Sequence, residues 1–77
     1  MNNNQEINKT NMKKQYDLAC EILRAYSNKE NKELAVNNLK GLAERGYIPA
    51  QIKLGESYEY GLFTDQNYDA AFYYYSK

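Results

Sequence analysis

Bond-breaking chemistry needs a base beside a nucleophile, a pair of placed carboxylates, or a metal. This sequence supplies little of any. It has no histidine and a single cysteine. Cys20 lies in the apolar run LACEIL and reads as a small core residue rather than a reactive thiol. Alone it makes no internal disulfide, and with only carboxylates beside it a zinc site would have a poor ligand set. The remaining acid–base candidates, Glu56 and Glu59, stand one helical turn apart, a spacing routine on solvated helix faces. Gly41, Gly46, Gly55 and Gly61 are scattered, so no loop gathers them to cradle a phosphate. The expectation is a protein with no catalytic residues, no metal and no cofactor.

Aromatic surface is what the chain does offer. Nine of its eleven aromatic residues lie from Tyr47 onward, six of them tyrosines within the closing stretch Leu54 to Lys77. Tyrosine gives a large contact area with few rotors and a polar tip, which suits both cores and interfaces. Charge points away from other partners. Ten basic residues balance ten acidic ones, with no basic run of five, so neither nucleic acid nor an anionic membrane is an expected partner. The longest uncharged apolar stretch, AAFYYY, is far too short to span a bilayer, and MNNNQEINKTN lacks the apolar segment of a signal peptide. A cytoplasmic protein is expected.

These aromatics must be positioned by helices, because no segment alternates with the period of two that marks a strand. Residues 1–11 are rich in asparagine and are expected to form a disordered leader. From Met12 the spacing turns helical, with Leu18, Ala19, Ile22, Leu23 and Tyr26 on one face. SNKEN (27–31) is a connection, with Asn31 as N-cap of a second helix that buries Leu34, Ala35, Leu39, Leu42 and Ala43. Gly46 closes that helix in the left-handed conformation, Tyr47 folds back toward Leu42, and Pro49 opens a third helix ending at Gly61. Asp65 or Asn67 caps a fourth, containing Tyr68 to Lys77. The fold class is all-α: two antiparallel helical hairpins, four helices, stacked as a short α/α solenoid.

Sliding the chain over itself by 36 residues supports the solenoid without a gap. Leu18 falls on Leu54, Ala19 on Gly55, Ile22 on Tyr58, Ala25 on Gly61, Glu33 on Asp69, Ala35 on Ala71 and Leu39 on Tyr75. The stretch Ala50-xxx-Leu54-Gly55-xx-Tyr58-xx-Gly61, followed by Tyr68-Asp69-x-Ala71-xx-Tyr74-Tyr75-x-Lys77, resembles a SEL-one-like repeat, a relative of the tetratricopeptide repeat. Ala35-xxx-Leu39-xx-Leu42-Ala43-xx-Gly46-xxx-Ala50 is similar to the second helix of such a unit and its link onward. The resemblance gives one repeat domain over residues 12–77, with a degenerate first repeat at about 14–49 and an incomplete second at about 50–77. It departs from the family pattern at Phe63, where a loop glycine is usual, and at Thr64, where valine commonly follows. The family's members are generally non-catalytic adaptors, which implies binding to another protein.

Helical spacing with Leu54 and Ala71 assigns Tyr58, Phe72 and Tyr75 to the core, and the family pattern favours packing for Tyr68 and Tyr74. Tyr60, Phe63 and Tyr73 stand where that pattern has a charged residue, a glycine and a charged residue. The expected protein-binding residues are therefore Tyr60, Phe63 and Tyr73, with the adjoining Tyr74. The function expected is a small stoichiometric regulator or inhibitor that masks a surface of its partner. The alternative is a self-assembling repeat protein that homodimerises through its aromatic end.

Overall fold

A computed structural model describes residues 3–25 and 28–77, with side chains from Lys9 onward. It contains four helices, α1 (Asn3–Ala25), α2 (Lys29–Glu44), α3 (Ile48–Tyr60) and α4 (Tyr68–Tyr75), and no strand among the described residues. Successive helices pack as hairpins, α1 on α2, α2 on α3 and α3 on α4. The core cluster runs through all four and includes Ala19, Leu23, Ala35, Leu39, Leu42, Leu54 and Tyr74.

Chain chemistry sets the helix ends. Asn28, not Asn31, is the N-cap of α2, its side chain accepting from the Asn31 amide at 2.8 Å. Two asparagines three apart make either a candidate, and the extended backbone of Asn28 decides it. At the other end Gly46 has φ +89°, the Tyr47 amide donates to the Leu42 carbonyl and the Gly46 amide to that of Ala43, each at 3.0 Å. This paired bonding is the glycine-closed helix end expected from the sequence. Tyr47 then lies against the core, 5.6 Å from Tyr16 between ring centroids. Pro49 sits in the first turn of α3, and Gly61 closes that helix at φ +67°. Asn67 caps α4 by accepting from the Ala70 amide at 3.1 Å.

Several expectations change. α1 starts at Asn3, so the stretch read as a disordered leader is helical from that residue. A helix already nucleated and packed beyond Met12 adds further turns at little cost. Leu18 and Leu34, expected on inner faces, are exposed, and Val36 is buried instead; Cys20 is buried, as the sequence indicated. Tyr26, expected on the inner face of α1, lies outside the described residues. In α4 the assignment shifts by one position: Tyr74 is 8% exposed, while Phe72 and Tyr75, expected in the core, are 74% and 47% exposed. Helix α4 also ends at Tyr75, capped by Ser76, short of Lys77.

Candidate functional site

The four aromatic residues expected to bind a partner differ in exposure. Tyr60 is exposed at the end of α3. Phe63 is half-buried against the core, with the Lys53 ammonium 6.0 Å from its ring centre. The loop holds it there: its amide donates to Ser57 Oγ at 2.9 Å, and that oxygen lies 3.1 Å from Thr64 Oγ1. Thr64 thus has a polar role at this position. Tyr74 is a core residue, stacked on Tyr58 with ring centres 5.8 Å apart and planes 2° from parallel. Its burial pushes the phenol's pKa up.

Tyr73 links the two hairpins. Its hydroxyl donates to Glu44 Oε2 at 2.9 Å, and Lys77 Nζ lies 3.0 Å from Glu44 Oε1 and 4.4 Å from the Tyr73 ring centre. Lys77 and then Tyr73 hold the Glu44 carboxyl below its ordinary value. Tyr73 and Tyr74 therefore turn toward the first hairpin rather than away from it.

A different set of side chains forms an open face on the far side. In the 36-residue register, Val36 and Leu39 of α2 match Phe72 and Tyr75 of α4. The first pair is buried at 7% and 0%, and the second pair is exposed. Met12 and Tyr16 of α1 match Ile48 and Ile52 of α3. Again the first pair packs against the core, and the second stands 62% and 48% exposed. Tyr68 adds to the same α4 stripe, four residues before Phe72.

Tyr75 joins the two halves of this face. Its ring lies over Gly55 so closely that a Cβ there would come within 2.8 Å of the ring's Cζ. Its hydroxyl donates to Glu59 Oε1 at 2.8 Å, and this bond, followed by burial, pushes the phenol up to about 12. Glu59 is thus an acceptor for a structural tyrosine, and its neighbour Glu56 is exposed. The sequence signal for this face was the 36-residue register. Phe72 and Tyr75 repeat inward-facing residues of the first hairpin, but only a covering helix makes such positions inward-facing.

A groove of about 680 Å³ lies between α2 and the α3–α4 loop. Lys29, Lys32 and Lys40 share its walls with Glu33 and Asp65, and Lys40 lies 5.9 Å from the Tyr58 ring centre. Both charge signs line it. Cys20 is buried. Tyr16, pushed up to about 12, owes that shift first to burial and then to its bond with Cys20. No helix among the described residues is long and apolar enough to cross a membrane. No family model, curated protein or solved structure matches this chain.

Proposed function

We propose that this chain is a non-catalytic protein-binding module that acts by occupying a surface of another protein, as a small stoichiometric regulator or inhibitor. The observation that carries this reading is the open face of Ile48, Ile52, Tyr68, Phe72 and Tyr75. Ile48, Ile52, Phe72 and Tyr75 occupy register positions that are packed in the first hairpin, so the face already has the shape of a helix-docking surface. Aromatic and aliphatic anchors of this kind dominate interface energetics once desolvated. Glu56 and Glu59 border the apolar stripe and give it polar edges. The SEL-one-like resemblance supports the same reading, and the cytoplasm is the compartment it suits.

This places the binding residues differently from the expectation of Tyr60, Phe63, Tyr73 and Tyr74. Of those four, Tyr60 and Tyr73 are exposed, Tyr73 with its hydroxyl bonded to Glu44, whereas Phe63 and Tyr74 pack against the core. The test is purification of the tagged chain from its native cell and identification of what accompanies it. The Phe72→Ser/Tyr75→Ser variant should retain helical circular dichroism and lose the accompanying protein. Retained capture by the folded variant overturns the assignment of this face.

A further inference from the structure

The two ends of the stack differ in a way that selects an occupant for the open face. Within the chain, the corresponding face of the first hairpin is covered by α3, which brings Gln51, Leu54 and Tyr58 to it. Gln51 is buried and donates to the Ala43 carbonyl at 3.0 Å, and Leu54 is fully buried. Helix α1 carries Gln15, Leu18 and Ile22 in the same register positions. There Gln15 and Leu18 are exposed and Ile22 is only partly covered. On α2 the exposed Leu34 corresponds to Ala70 of α4, so it lies on the same outer side of the first hairpin. The molecule thus has one end shaped like the surface that α3 covers, and another end carrying the residue types with which α3 covers it.

Charge separates the ends as well. Residues 9–45 carry eight basic and five acidic side chains, whereas residues 46–77 carry two basic and four acidic. Two acidic ends repel when apposed like to like, with Glu56 and Glu59 flanking the contact. An acidic end against a basic end attracts.

We propose that a second copy of this chain occupies the open face when no other protein is bound, docked head to tail through its α1–α2 outer side, with Leu18 and Leu34 set against Ile52, Phe72 and Tyr75. The proposal rests on the reading of this face as a binding surface, for which the copy and the other protein compete. Such a contact uses two different patches and does not close on itself, so it extends into short open chains as concentration rises. Because opposite charges steer it, rising salt weakens it.

Sedimentation across a concentration series tests it, with two variants whose changes lie at exposed positions. Leu18→Asp/Leu34→Asp blocks the head, and Ile52→Asp/Phe72→Asp blocks the tail; circular dichroism checks that each is folded, and serine replaces aspartate if one is not. Wild-type mass should climb with concentration and fall back in high salt. Each variant alone should stay monomeric, while their equimolar mixture should form a complex of twice the monomer mass and nothing larger. A head-blocked variant that dimerises alone shows same-face pairing and overturns the head-to-tail arrangement. Wild type that remains monomeric to millimolar concentration removes the second copy as occupant. In that event, capture of another protein that is lost in Phe72→Ser/Tyr75→Ser leaves the binding-face reading standing, and capture unaffected by those changes removes both.

Discussion

Val36 and Phe72 hold the same place in successive hairpins, yet one is 7% exposed and the other 74%. Leu18 and Leu54 show the reverse: the first-hairpin residue is 56% exposed and its second-hairpin counterpart fully buried. Ala35 and Ala71, which lie within their hairpins, are both buried. The contrast teaches that burial here has two sources. Positions that face the partner helix of their own hairpin are inside in both repeats. Positions that face along the stack are inside only where the other hairpin lies beside them.

The strongest break in that comparison is a pair of truncations. Leu39→Ala and Leu54→Ala, at sites with no exposure, should each lower unfolding free energy by about 2–5 kcal/mol. In a domain this small that leaves little folded protein. Leu18→Ala should stay within about 0.5 kcal/mol of wild type, as surface changes generally do. Urea unfolding measures both. Equal losses at Leu18 and Leu54 would show that the two ends are covered alike.

Next in size is Gly55, whose counterpart is Ala19. Alanine is accommodated in the first hairpin, but at Gly55 an added methyl meets the Tyr75 ring. Gly55→Ala should displace that ring and break its bond to Glu59, so the Tyr75 phenol falls from about 12 toward its ordinary 10.0. Adding Tyr75→Leu, which copies the Ala19 and Leu39 pairing of the first hairpin, should restore the unfolding midpoint. A Tyr75 titration unchanged by Gly55→Ala would contradict the close contact.

Alkaline pH gives a smaller effect. Tyr16 and Tyr75 both bind their protons more tightly when folded than unfolded. Their contribution to stability is therefore complete below pH 10 and lost as pH rises from about 10 to about 12. Helical ellipticity should decline in that window together with the late part of the phenolate absorbance. Tyr75→Phe should remove part of the decline. A loss of helix complete before the tyrosines ionise would exclude them as its cause.

The smallest effect belongs to the exposed tie between hairpins. Glu44→Gln weakens the bonds to Tyr73 and Lys77, and exposed ion pairs add little. The midpoint should drop less than for any core truncation. The folded carboxyl is held low, so what it adds is present above the ordinary carboxylate range and lost as pH falls through the lowered value. A midpoint of Glu44→Gln that is no less acid-sensitive than wild type would show that this tie plays no part.

Local chemistry made the helices legible in the sequence. Glycine at positive φ, proline in a first turn and asparagine before a helix leave marks within a few residues, and Gly46, Gly61, Pro49 and Asn67 were all readable. The helix-facing small residues Ala19, Ala35 and Ala71 were readable from spacing. What spacing could not decide was rotation. Apolar residues in α4 recur at 68, 72 and 75 and also at 71 and 74, two faces of similar hydrophobicity. The choice between them depends on which side meets another helix. The sequence reading took Phe72 and Tyr75 as core because they recur at helical spacing with Leu54 and Ala71. Such spacing puts residues on a helix but leaves open which of its two apolar faces is covered.

The central claim is that the closing aromatics divide between a covered side and an open one. It is tested most directly by fluorine NMR of 3-fluorotyrosine-labelled protein in the presence of a soluble paramagnetic agent. Tyr68 and Tyr60 should be relaxed most, Tyr75 and Tyr73 less, and Tyr74 least. Relaxation of Tyr74 equal to that of Tyr68 would contradict the account.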